Sequence, residues 1–132
     1  MPEKDIVEAI VSNLVRMGFK VATEVANIYR SADIAALDHN GKVWVIECKI
    51  SSIGQAVRQT RIHKLGADKV FIGTPYRNTQ QGTLDMIKEA GVGLIYVMPD
   101  GSIHEVIQPC REEKAWPSAK EKLRQRIIQV TQ

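Results

Sequence analysis

Three ionisable residues sit inside apolar, strand-like runs: Asp33 in Ser31-Ala32-Asp33-Ile34-Ala35-Ala36-Leu37, and Glu47 and Lys49 in Val43-Trp44-Val45-Ile46-Glu47-Cys48-Lys49. Side chains alternate along a strand, so Glu47 and Lys49 share a face with Val43 and Val45, while Trp44, Ile46 and Cys48 take the other. Whether Asp33 joins them depends on the intervening turn, because a one-residue slip carries every side chain to the opposite face. A two-residue Asn40-Gly41 loop would set Asp33 opposite Cys48. A three-residue His39-Asn40-Gly41 loop, with Gly41 left-handed, pairs Asp38 with Lys42 and sets Asp33 opposite Glu47. The second register is the expected one. It gathers two carboxylates and an ammonium where idle burial would cost several kcal/mol.

Adjacent carboxylates repel unless a cation lies between them, and a hard divalent ion takes one or two carboxylates, a backbone carbonyl and waters. Such an ion lowers the pKa of its bound water, and a lysine at the rim stabilises charge on phosphorus, so phosphodiester hydrolysis is the natural use. The competing reading makes Asp33 a strand cap and Glu47-Lys49 an exposed ion pair, an arrangement common in sheets.

The elements that would position these groups follow from periodicity. Residues 2–17 carry Val7, Ile10, Val11, Leu14 and Met17 at helical spacing, ended by Gly18. Strands are expected at 19–26, 32–37 and 42–48, the last two forming the hairpin. Ser52 and Gln55 have capping-box spacing and open a helix to about residue 65, before Gly66. A strand at 69–73, a helix at 79–90, and strands at 93–98 and 103–107 around Pro99-Asp100-Gly101 complete the body. Residues 111–116 read as a connector. Pro117-Ser118 and Glu121 then open a basic helix over 117–130 with Ala119, Leu123, Ile127 and Val130 on one line. The order is αβββαβ followed by αββ and that helix, an α/β class. At 132 residues the chain has room for a single domain, 1–132, with its core over about 1–98.

Composition narrows the function classes. Hydrophobic residues make up 44% and charged residues 25%, and no uninterrupted apolar stretch reaches the ~18 residues of a membrane span. The N-terminus shows no secretory pattern, which makes the cytoplasm the expected location. Two cysteines are too few for a disulfide framework or a four-ligand zinc site. The net charge is +3, with six Lys/Arg against seven Asp/Glu in residues 1–50 and twelve against eight afterwards. That asymmetry suits a carboxylate site beside a phosphate-holding surface.

Asp33, thirteen intervening residues, then Glu47-Cys48-Lys49 on the second arm of a hairpin, within an αβββαβ order over residues 1–74, resembles the PD-(D/E)xK nuclease superfamily, which implies its restriction-endonuclease-like core with a central mixed sheet. Ala32 stands where the family name has proline. The resemblance implies Asp33 and Glu47 as metal ligands for Mg²⁺ or Mn²⁺, the Cys48 carbonyl as a third, and Lys49 as the catalytic lysine. Gln59-Thr60-Arg61-Ile62-His63 resembles the Q-x-x-x-Y element of RecB-like nucleases, with His63 in the tyrosine position. This implies Gln59 at the metal site and His63 beside the nucleic acid. Gln55 is explained by the capping box. Arg58, Arg61 and Lys64 form a neighbouring basic line that would hold phosphates in a nuclease and serves equally as a solvated helix face. Family members often add a glutamate from the first helix; Glu3 and Glu8 both qualify, with Glu8 slightly favoured for lying away from the fraying end. Glu24 and Arg30 are rim groups or solvated loop charges, and His39 and His104 are surface residues. Trp116 anchors the last helix, whose Lys120, Lys122, Arg124 and Arg126 grip phosphates or solvate it.

The expectation is a metal-dependent endonuclease acting on DNA, working as a homodimer where both strands are cut. Two other classes stay open, a silent nucleic-acid-binding module and a subunit active only with a partner, and RNA stays open as substrate.

Overall fold

Strands buried on both faces carry unbroken apolar runs, and in the computed structural model Val43–Cys48 is buried at every position. The structure describes residues 1–28, 30–110 and 115–131. Six strands, β1 (Lys20–Asn27), β2 (Arg30–Leu37), β3 (Val43–Cys48), β4 (Lys69–Pro75), β5 (Gly93–Val97) and β6 (Ile103–Ile107), form one sheet in chain order. The β3-β4-β5 pairings are parallel and the others antiparallel, so the sheet is mixed. Helices are α1 (Glu3–Arg16), α2 (Ile53–His63), α3 (Gln81–Glu89) and α4 (Pro117–Thr131).

One face of the sheet receives α1, whose Ile6, Ile10 and Leu14 pack on Ile34, Ala36, Trp44, Ile46, Cys48 and Phe71. The other face carries α4 over the first strands, through Leu123 and Ile127, and α2 and α3 over β4 and β5. Two polar ties fasten α4: Lys120 Nζ donates to the buried Asp68 carboxylate at 3.0 Å, and Arg126 donates to the Ala26 carbonyl at 2.7 Å.

The β2-β3 register is the one expected from a three-residue loop. Leu37 pairs with Val43 and Ile34 with Ile46, the Asp38 amide donates to the Lys42 carbonyl, and Gly41 has φ +74°. Asp38 fastens this turn. Its Oδ1 accepts from the Asn40 and Lys42 amides at 2.8 and 2.9 Å, and its Oδ2 accepts from Trp44 Nε1 at 3.0 Å. Register and carboxylate placement thus share one anchor.

Several elements depart from expectation. The buried line of α1 is Ile6-Ile10-Leu14, an i, i+4 row, while Val7 and Val11 flank it and Met17 is exposed. The capping box does not form: Ser52 is left-handed (φ 57°, ψ 48°) with no side-chain cap bond, whereas a capping hydroxyl needs an extended backbone to reach its amide. β2 starts at Arg30, because β1-β2 pairing reaches Asn27↔Arg30, and β4 runs on to Pro75 in parallel pairing with Val97. Val130 is exposed, leaving Leu123 and Ile127 as the anchors of α4. The Trp116 side chain is 53% exposed; its backbone amide is the part that anchors, donating to the Leu65 carbonyl at 2.7 Å. Of the expected connector, residues 111–114 lie outside the described residues.

Asp38→Ala removes three hydrogen bonds, one of them to an indole, from the turn that sets the register. Urea denaturation is expected to show a loss of about 1–3 kcal/mol against wild type, the range for hydrogen bonds to a charged acceptor.

Candidate active site

In the β2-β3 hairpin the Asp38 amide donates to the Lys42 carbonyl, while the Lys42 amide returns to the Asp38 carboxylate, so the bonded pairs recur at 36/44 and 34/46, and the next rung would give the Cys48 amide to Ala32. The ladder stops one rung short. The Cys48 amide donates instead to Asp33 Oδ2 at 2.8 Å. A side chain thereby takes over a backbone rung and places the Asp33 carboxylate at the opening between the strands, beside Glu47.

On the other side of β2, pairing is interrupted at the same residue. Thr23↔Ile34 and Val25↔Ala32 are paired, but Glu24, opposite Asp33, has φ +49° and is not. Residues three apart on a regular strand face opposite sides, yet Ala22 and Val25 both pack in the cluster under α4, and so do Ala32 and Ala35. Both strands therefore turn over at the Glu24/Asp33 step. That inversion delivers the paired residues Asn27 and Arg30 to the face that α2 covers.

Glu47 is 3% exposed. His63 Nε2 meets its Oε1 at 2.7 Å, and His63 Nδ1 is 3.0 Å from Asn27 Nδ2. With the Asn27 amide donating to Nδ1, the ring carries its proton on Nε2 and donates to Glu47, which fixes that carboxylate's orientation. A Cβ on Gly66 would meet Asn27 Oδ1 at 2.2 Å, so a glycine is what admits Asn27 to its place.

The two carboxyls titrate in opposite directions. Burial lifts Asp33 from 3.8 to about 6; the Cys48 amide pulls it down, and the charge and hydrogen bond of Glu47 push it further up. Burial is the largest influence on Glu47 and would raise it too, but the hydrogen bond and charge of His63, the hydrogen bond with Asp33 and the Arg30 charge together outweigh it and hold Glu47 below its usual value. Burial, with the charges of Asp33, Glu47 and Glu3, pushes the Cys48 thiol well above its ordinary range, so the sulfur is an inert core group.

The other sequence-predicted residues divide. Lys49 follows the end of β3, half-buried, with its amide bonded to the Gly73 carbonyl at 2.9 Å. Gln59 is half-buried, and its Oε1 is buried without a hydrogen-bond partner among the described residues. Arg58 and Arg61 are exposed. Lys64 lines one concavity with Arg58 and Arg61, and its ammonium also donates to the Ala90 carbonyl at 2.6 Å, tying α2 to the end of α3. His63 is not beside a nucleic-acid surface; it is fully buried, since the face of α2 that carries Ala56 and Thr60 turns inward. Gln55 is exposed.

Glu3 and Glu8 both line a cleft of about 580 Å³ that runs from α1 and Glu24 to Asp33. The leaning toward Glu8 does not hold. At about 100° per residue, Glu3 continues the buried Ile6-Ile10-Leu14 line, whereas Glu8 lies far round the helix. The charge of Glu3 acts on Asp33 and Cys48, while Glu8 is 64% exposed and 3.9 Å from Lys4. Among the described residues no three His, Cys, Asp or Glu side chains gather as a metal cluster. Sequence reasoning missed Asn27 and left Arg30 as either a rim group or a solvated loop charge. Simple alternation puts Asn27 on the wrong face, and a positive φ at a glutamate leaves no trace in the sequence.

The sequence matches no family model and no curated protein. Two solved structures are similar in fold. A protein of unknown function from Silicibacter pomeroyi superposes with a TM-score of 0.72 at 21% identity, over 98% of this chain and 86% of that one. A repair endonuclease from Pyrococcus abyssi superposes with a TM-score of 0.57 at 19% identity, over 75% of this chain and 48% of that one, so this chain spans about half its length. The fold is α/β, a six-stranded mixed sheet with four helices, consistent with a restriction-endonuclease-like core.

Asp33 has a raised folded-state pKa, so its contribution to stability is complete below 3.8 and is lost as pH rises through about 6. Asp33→Asn imitates the protonated form and keeps the acceptor for the Cys48 amide. In EDTA its melting temperature is expected to match wild type near pH 4 and exceed it at pH 8, by the equivalent of about 1–2 kcal/mol after allowance for solvent screening.

Proposed function

We propose that this chain is a metal-dependent nuclease of the PD-(D/E)xK kind, hydrolysing phosphodiester bonds with DNA as the expected substrate. The observation that carries the reading is the Asp33-Glu47 pair, held side by side by a side chain standing in for a backbone rung. The donor set fits a hard divalent ion. Cys48 engages one oxygen of Asp33 and His63 one oxygen of Glu47, which leaves each carboxylate a second oxygen, and the pair in isolation keeps Asp33 protonated up to about 6. Two carboxylates and a carbonyl suit Mg²⁺ or Mn²⁺, which keep several of their waters.

In this reading Asp33, Glu47 and the Cys48 carbonyl hold the ion, which supplies Lewis-acid polarisation of the phosphoryl oxygen and a lowered pKa for the attacking water. His63 and Asn27 keep Glu47 aimed, sparing the site a reorganisation at the moment of reaction. Lys49 brings an ammonium two residues beyond Glu47, where it offsets the negative charge gathering on phosphorus. Gln59 offers an unpartnered carbonyl oxygen that accepts a hydrogen bond from the attacking water and so orients it. Arg58 and Arg61, exposed on α2, hold flanking phosphates. One such site cuts one strand, so double-strand cleavage would take a homodimer. The endonuclease neighbour supports the reading at the level of fold.

The test is cleavage of supercoiled, linear, single-stranded and branched DNA, and of RNA, with Mg²⁺ or Mn²⁺. Wild type is expected to cut, with Asp33→Asn and Lys49→Ala slower by at least about 100-fold while still folded, as for the loss of a group acting in the transition state. A wild type that cuts nothing with either ion sinks the proposal. Independently of turnover, millimolar Mn²⁺ should raise the melting temperature of wild type at pH 8 and leave that of Asp33→Asn unmoved.

A further inference from the structure

The ground on the two sides of the carboxylate pair differs in charge. Toward α1 lies the cleft that Glu3, Glu8 and Glu24 share with Asp33. Toward α2 lies a second concavity of about 320 Å³ lined by Arg30, Gln55, Arg58, Gln59 and Ile62, with no acid among them. Arg30 reaches this place because both strands turn over at Glu24/Asp33, and its guanidinium lies close enough to Glu47 to act on its charge.

Two buried polar atoms at this concavity lack partners among the described residues, Arg30 Nε and Gln59 Oε1. A buried guanidinium N–H is ordinarily satisfied, and one left without a partner beside an open recess marks where a ligand's acceptor belongs. In the nuclease reading the Gln59 oxygen is the acceptor that faces the attacking water, so Arg30 Nε is the orphan that marks an acceptor's place in this recess.

From this arrangement we infer that the Arg30-Arg58 concavity is a subsite for a backbone phosphodiester of the nucleic acid, one that rests on the nuclease reading for its substrate. The guanidinium fork matches the phosphate oxygens, with Arg30 supplying a fixed donor from the strand and Arg58 a mobile one from the helix. The lining has no aromatic ring on which a base could stack, so the contact is to the backbone and is indifferent to sequence. The acidic cleft repels the same chain. The nucleic acid therefore approaches over α2, and the strand to be cut passes from the Arg30-Arg58 recess to the carboxylates.

The test separates binding from cutting. Anisotropy of labelled single-stranded and duplex DNA is read across a salt series, in EDTA and again with Ca²⁺, for wild type, Arg30→Gln, Arg58→Gln and the double variant, with thermal melts to confirm folding. Each single variant is expected to lose about 5- to 20-fold in affinity at low salt, and the slope of log K against log salt should fall by about 0.9 on duplex or about 0.7 on a single strand, one phosphate's worth. The double variant should lose less than the product of the two, because both residues clamp the same group. Inorganic phosphate should compete no better than chloride at equal ionic strength. The inference is overturned if Arg30→Gln binds with unchanged affinity and slope, if inorganic phosphate competes specifically, or if wild type binds neither DNA in either condition. Should wild type bind with the expected Arg30 dependence yet never cut, the subsite stands and the nuclease reading falls. Cutting with no Arg30 dependence in binding does the opposite: the nuclease reading stands and the subsite falls.

Discussion

The site depends on one hydrogen bond, from the Cys48 amide to Asp33 Oδ2. A sheet that opens must satisfy the amides it leaves behind, because a buried unpaired N–H costs about as much as the bond it has lost. Here the acceptor is a carboxylate. The opening of the β2-β3 ladder and the placement of Asp33 are therefore the same event, and Glu47 on the facing strand has to stand next to it. On the far edge of β2 the Glu24 backbone adopts a conformation that L residues avoid, and both strands invert there. Asn27 and Arg30 reach the α2 side by that inversion, one behind the carboxylates and one beside them. Strain of this kind persists where the surrounding structure over-determines it, and it clusters at sites of function.

Electrostatics divide the neighbourhood. Asp33 keeps its proton to unusually high pH, and Glu47 is held as an anion by His63. Asp33 opens on the acidic cleft toward α1, whereas Glu47 is buried, and Ile6, Ile10, Ile34 and Ile46 pack in one cluster with the inert Cys48 thiol. Solvent is thus scarce where the negative charge sits, and the pair carries a standing repulsion that the rest of the core must outweigh. A protein gains nothing for its fold from such a pair, which is the physical reason to look for its use in chemistry.

Much of this was legible in the chain. The alternation in Val43–Cys48 and the His39-Asn40-Gly41 turn were enough to set Asp33 opposite Glu47, and Asp38, read only as the residue before that turn, proved to be its fastener. The element order followed from periodicity and glycine placement, and the mixed sheet from the resemblance to the nuclease superfamily. Other features were hidden because they depend on contacts between distant segments. His63 was expected beside the nucleic acid, but it lies on the face of α2, with Ala56 and Thr60, that is buried against the rest of the fold. Ser52 and Gln55 have the spacing of a cap, but the backbone at Ser52 is left-handed. On α1 the rows Ile6-Ile10-Leu14 and Val7-Val11 are both apolar, and only the sheet selects between them. That selection also moves the favoured glutamate from Glu8 to Glu3.

The hairpin that carries Asp33 and Glu47 is a local pairing, closed by a turn with its own hydrogen bonds, whereas β4 and β5 join only after crossovers through helices. Local contacts close in microseconds, while parallel pairings wait for the entropy of longer loops. The two carboxylates therefore meet early, in a half-built chain whose helices have not yet shielded them. Their repulsion acts on the folding barrier as well as on the finished fold. An ion able to bridge them at that stage speeds folding, where one that recognises only the completed site would slow unfolding.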